Sequence, residues 1–88
     1  MTLTIQLDKS IDAFITHQAH EQRISLETAA TELVRVGFEV KLRELHQRYV
    51  RGEYSLGRLA KELGITTWEL VHVLEEHRLQ IHNLPLAV

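Results

Sequence analysis

"TLTIQL", residues 2–7, alternates polar and apolar side chains: Thr2, Thr4 and Gln6 fall on one side of an extended chain, Leu3, Ile5 and Leu7 on the other. That is the period of a β-strand. A lone strand leaves its backbone N–H and C=O groups without partners, and the rest of the chain offers nothing to pair with it. The simplest completion is a second copy, the two strands lying antiparallel about a two-fold axis. Leu3, Ile5 and Leu7 then face the helices, and Thr2, Thr4 and Gln6 face outward.

The residues that follow read as helices. Asp8 can cap a first helix whose Ile11, Phe14, Ile15 and Ala19 form an apolar stripe, ending near Gln22. After the link "RIS", Ser25 stands where an N-cap is expected, with Glu27 in the first turn, where a helix N-terminus favours negative charge. Leu26, Ala30, Leu33, Gly37 and Val40 mark one face of this second helix, and Val34, Phe38, Leu45 and Tyr49 another. With no proline to interrupt it, the helix is expected to run to about Arg51 and stop at Gly52. A helix apolar on more than one side needs cover from outside its own short chain. Ser55 then caps "LGRLAKEL", which ends at Gly64, and Thr66 or Thr67 starts a last helix reaching about Arg78. The tail "LQIHNLPLAV", residues 79–88, is either a short extended segment or a flexible end. The expected organisation is mainly α: residues 1–52 as a strand and two helices, residues 53–88 as a helix-turn-helix-like pair and tail.

With 44% hydrophobic and 25% charged residues, the 88-residue chain has the composition of a soluble globular protein too small for a large core, so association is expected. No stretch approaches a membrane span, the opening "MTLTIQLDKS" lacks the basic start and apolar run of a signal peptide, and the absence of cysteine points to a reducing cytoplasm. The net charge of −2 argues against a protein held to nucleic acid by bulk charge. Its distribution is uneven. Lys41, Arg43, Arg48, Arg51, Arg58 and Lys61 against Glu44 and Glu53 give residues 41–61 a charge of +4, which leaves −6 for the remainder. Such a belt is either a solvated set of helix faces with carboxylate partners or a phosphate-facing surface.

The strand "TLTIQL", the helix "DKSIDAFITHQAHEQ", the turn "RIS" and the helix "SLETAATELVRVGFE" together resemble the ribbon-helix-helix family of bacterial repressors and antitoxins, over residues 2–40. The resemblance implies a dimer in which the outward strand residues Thr2, Thr4 and Gln6 enter the major groove. The backbone N–H groups at Ser25 and Leu26 would hold a phosphate. Gln6 suits that role, since its amide can pair with adenine in two places. The departure is charge: no outward strand position carries Lys or Arg, and residues 1–40 sum to −3. Arg43 and Arg48 of the basic belt are the expected phosphate contacts.

In the C-terminal part, Ala60, Gly64 and Leu70 supply the small crossing residue, the turn glycine and the apolar anchor of a helix-turn-helix, with Leu59, Leu63, Ile65 and Val73 as core. The positions a recognition helix would expose are Thr66, Thr67, Trp68, Val71, His72 and Glu75, none of them Lys or Arg. Residues 48–82 also resemble a family of small, poorly characterised prokaryotic proteins with the pattern G-x-x-S-L-x-x-A-A-x-x-x-G-x-x-x-W/E. Gly52, Ser55, Leu56, Ala60, Gly64 and Trp68 match it, and Leu59 stands where that family often has alanine. Those proteins look like antitoxins, commonly paired with a PIN-domain ribonuclease toxin, so the resemblance implies a protein partner. Trp68, the only tryptophan, is either ordinary packing or the anchor of that interface, with Val71, His72, Ile81 and Leu84 as accompanying contacts.

Six histidines raise the question of metal or catalysis. His17 and His20 can share a helix face, but nothing completes a ligand set, and His72, His77 and His82 do not share one. No catalytic ordering of Ser, His and Asp and no phosphate loop is present, so the chain reads as a non-enzyme without cofactor. The expected function is that of an antitoxin-like transcriptional regulator, binding operator DNA as a homodimer and neutralising a toxin. The alternatives are an oligomerising interaction module with no DNA role, and a DNA binder that uses its C-terminal helices through Arg58 and Lys61.

Overall fold

The computed structural model describes residues 2–81, and these are helical: α1 (Lys9–Gln22), α2 (Leu26–Val50), α3 (Leu56–Leu63) and α4 (Thr67–Glu76). No strand occurs among the described residues, which corrects the ribbon-helix-helix expectation. Residues 2–8 form an irregular, exposed lead into α1, and Thr2, Thr4 and Gln6 stand on that lead, not on a ribbon. The physical reason is that alternation says which side of an extended segment could be buried but supplies no partner for its backbone. Among the described residues no other extended segment runs beside this one.

The helix ends are set by local chemistry. Asp8 takes the N-cap position of α1, and its carbonyl accepts the Asp12 N–H at 2.9 Å, although its carboxylate makes no capping bond. At the other end Arg23 adopts the left-handed region (φ 56°), and the Ile24 N–H closes onto the Ala19 carbonyl at 3.0 Å. Ser25 caps α2 by accepting the Thr28 N–H at 3.0 Å. Gly52, at φ 81°, lets the chain leave α2 in a conformation that side chains disfavour. Ser55 caps α3 by accepting the Arg58 N–H at 3.0 Å. Thr66 and Glu69 form a reciprocal capping box on α4: the Thr66 hydroxyl accepts the Glu69 N–H at 3.0 Å, and the Glu69 carboxylate accepts the Thr66 N–H at 2.9 Å.

The chain falls into two compact units, residues 1–39 and 40–88. The division lies inside α2, upstream of Gly52, which marks the end of that helix. The two apolar sides of α2 account for this: Ala29, Leu33 and Val36 recur at helical spacing in unit 1, and Leu42, Leu45 and Tyr49 recur on another side in unit 2. Unit 1 buries only Ile15, Ala19 and Ala29, with Ile24 and Ala30 partly covered beside them. Unit 2 buries Leu42, Tyr49, Leu59, Ala60, Leu70 and Leu74, four of these completely. Within it the buried His46 ring donates from Nε2 to the Gln80 carbonyl at 2.7 Å, which ties the segment after α4 to α2. No helix among the described residues is long and apolar enough to cross a membrane.

Candidate partner-binding surface

α4 must place Leu70 and Leu74, one turn apart, in the core of unit 2, and both are completely buried. Two residues before Leu70 lies roughly the opposite side of a helix with 3.6 residues per turn, and Trp68 occupies that position. It is 72% exposed. His72, one turn further, stands edge-on to the indole with ring centroids 5.0 Å apart, and Val71 is half-buried beside it. Glu75 and Glu76 are exposed on the following turn. The outward side of α4 is therefore an aromatic centre edged by carboxylates. The Glu69 carboxylate is held below the usual glutamate range, first by the backbone N–H of Thr66 and then by the Thr66 hydroxyl.

This surface suits a protein partner better than a phosphate backbone, because it offers an exposed tryptophan and no cation. Of the other expected partner contacts, Ile81 is drawn instead toward the unit 2 core, where it packs partly buried. Leu84 lies outside the described residues.

The expected DNA contacts do not converge. Thr2, Thr4 and Gln6 sit on the irregular lead. At the start of α2, the Thr28 N–H is already taken by Ser25 Oγ, and the exposed Glu27 places a carboxylate where a phosphate would approach; Leu26 there is an exposed apolar side chain. Arg43 and Arg48, five residues apart on α2, point about 140° from one another around the helix.

Much of the basic belt is neutralised within the chain. Lys41 pairs with Glu44 at 3.4 Å, Arg51 with Glu53 at 2.9 Å and Arg58 with Glu62 at 3.0 Å. Arg43, Arg48 and Lys61 have no carboxylate partner among the described residues. The sequence reading missed Tyr54. Its ring lies beneath two guanidinium groups, Arg48 at 5.7 Å and Arg58 at 4.9 Å from the centroid, and its hydroxyl accepts from Arg48 Nη1 at 3.5 Å. An aromatic residue in a turn flanked by arginines was the available signal.

The described histidines stay dispersed. His17 Nε2 lies 3.8 Å from the Glu21 carboxylate, and among the described residues no three His, Asp or Glu side chains gather as metal ligands. No protein-family model matches this chain, and neither a curated protein nor a solved structure matches it.

Proposed function

We propose that this protein is a regulator of the antitoxin kind that holds a partner protein through the exposed side of α4, with Trp68 as the anchor and His72 and Val71 beside it. The observation that carries this reading is the exposure of Trp68 in a unit whose core is otherwise well filled. Water-exposed indole in a folded unit is a large apolar group still available for burial, and tryptophan is among the residues that dominate binding energy once covered. Glu75 and Glu76 favour a partner with cationic groups around an apolar pocket. The C-terminal resemblance supports a PIN-domain ribonuclease as the class of partner.

Because Trp68 is the only tryptophan, its fluorescence reports this surface directly. Titration with a PIN-domain ribonuclease encoded beside this chain is expected to shift the emission to the blue, and Trp68→Ala to weaken binding by about 2 kcal/mol or more. An unchanged affinity in Trp68→Ala rejects the anchor.

Operator binding is the second part of the proposal. It is favoured by the three belt cations that no carboxylate neutralises among the described residues, Arg43, Arg48 and Lys61. A duplex from the protein's own promoter is expected to bind with an affinity that falls with salt, and Arg48→Ala to flatten that dependence. No retention of the duplex at low salt leaves a protein-interaction module without a DNA role.

A further inference from the structure

Most glutamates of unit 2 are occupied. Glu44, Glu53 and Glu62 pair with Lys41, Arg51 and Arg58, and Glu69 closes the cap of α4. Glu75 and Glu76 differ: both are exposed, and among the described residues no cation pairs with either, Arg78 included. They are also the last two residues of α4, and its last turn holds no basic residue. The unsatisfied carbonyl groups at that end of a helix make it negative, so two carboxylates there weaken the folded chain. A local rule broken with no compensation inside the chain points to function.

Their position points to the ligand. At about 100° per residue, Trp68, His72 and Glu75 fall within roughly 60° of one another around α4, with Glu76 just beyond His72. That side lies opposite the buried Leu70 and Leu74. The His72 ring stands at 84° to the indole, so the two rings form a corner, and the free carboxylates follow on the next turn. Negative charge without a cation selects a cationic occupant. A guanidinium satisfies both features at once, because its plane stacks on an aromatic face while its fork of N–H groups takes a carboxylate in two places. A lysine ammonium is a compact, strongly hydrated charge with no plane to stack.

We infer that α4 takes an arginine side chain of its partner, seated between the Trp68 indole and the carboxylates of Glu75 and Glu76. This rests on the reading of α4 as a partner-binding surface, though not on the partner's being a ribonuclease. The two glutamates weaken the free chain and strengthen the complex. Stability and binding therefore respond to them with opposite sign.

Titration of the full chain with octa-arginine and with octa-lysine, followed by Trp68 emission, tests this. Octa-arginine is expected to bind at least about three-fold more tightly, since only the guanidinium stacks. Glu75→Gln combined with Glu76→Gln is expected to weaken octa-arginine binding at least about five-fold. The same double variant is expected to melt roughly 2–5 °C higher, because glutamine suits a helix as well as glutamate does and relieves its negative end of charge. Glu44→Gln combined with Glu53→Gln removes the same charge from outside α4 and is expected to weaken binding less than about two-fold. Equal weakening by the two double variants, equal affinity for the two peptides, or a lower melting temperature in Glu75→Gln with Glu76→Gln overturns the inference. Calorimetry with the ribonuclease separates it from the reading on which it rests. Ribonuclease binding that is lost in Trp68→Ala but unchanged in Glu75→Gln with Glu76→Gln overturns the arginine seat and keeps the α4 surface. Octa-arginine binding with the expected responses, beside a ribonuclease that does not bind, supports the arginine seat and rejects the ribonuclease.

Discussion

Units 1 and 2 share one long helix yet solve the burial problem differently. Unit 2 encloses Leu42, Leu59, Leu70 and Leu74 completely and leaves Trp68 as its most exposed large apolar group. Unit 1 encloses Ile15, Ala19 and Ala29 and leaves ten large apolar side chains in contact with water. The difference comes from chain length and connection. In unit 2 the glycine at position 64 turns α3 back toward α4 within a few residues, so three helical segments converge on one core. Unit 1 has only α1 and the first part of α2, and two helices cannot cover both sides of each other. One unit is filled and leaves a single large aromatic group outward; the other leaves most of its large apolar side chains in water.

The sharpest way to break this comparison is to hollow each unit at one leucine. Leu70→Ala is expected to destabilise by about 3–5 kcal/mol, because a fully enclosed side chain leaves a cavity that its neighbours cannot collapse into. Leu33→Ala is expected to cost less, about 1–2 kcal/mol, since a side chain still 36% exposed loses only part of the burial. Urea denaturation of both variants checks this. Equal losses would mean that unit 1 is as well packed as unit 2.

The next effect falls on binding and leaves stability nearly untouched. Trp68→Ala is expected to change unfolding free energy by less than about 0.5 kcal/mol, as for other surface positions. A thermal or urea transition moved well beyond that would show the indole to be part of the unit 2 core and not an anchor.

Backbone conformation gives a third test, about 1 kcal/mol in size and of opposite sign in the two units. Gly64 holds φ at +73°, so Gly64→Ala forces an alanine into the left-handed region and is expected to destabilise by about 1–2 kcal/mol. Gly37 sits inside α2 with nothing within 4 Å of where a Cβ would stand, so Gly37→Ala is expected to stabilise the monomeric chain by about 0.8–1 kcal/mol. Denaturation midpoints of the pair read the contrast directly.

Much of the helical framework is legible in the sequence because its signals are local. Ser25, Ser55 and Thr66 each cap the helix that follows, and Gly52 and Gly64 each take a positive φ where a helix stops. What depends on distant partners is not legible. Alternation over residues 2–7 implied a strand, but a ladder needs a second segment, and none of the described residues lies there. Arg23 and Arg78 end their helices in the left-handed region without being glycine, so no residue type announced them. Trp68 could have faced either way from the start of α4, and only the inward placement of Leu70 and Leu74 decides it. The charge of the belt was legible as a count, with Glu44 and Glu53 already in it, but not its pairing: Glu62, just beyond it, takes Arg58 only once α3 forms.

The smallest expected effect separates the first turns of the two units. At α4 the Glu69 carboxylate accepts the Thr66 N–H, and this bond lowers its pKa below the usual glutamate value. A carboxylate whose pKa is lowered on folding contributes stability that is present in full above its unfolded pKa and is lost as pH falls through the folded value. Acidification below the ordinary glutamate range is therefore expected to loosen the first turn of α4, seen as movement of the Thr66 amide resonance. Glu69→Gln keeps an acceptor at the same position, since glutamine also closes a capping box, and so should preserve the cap while removing its response to acid. At α1 the Asp8 carboxylate makes no capping bond, so Asp8→Ala should leave the stability of that turn nearly unchanged. A loss of about 1 kcal/mol or more in Asp8→Ala would show that unit 1 caps its helix after all. No acid response at Thr66 would mean that the capping box of unit 2 is not formed in solution.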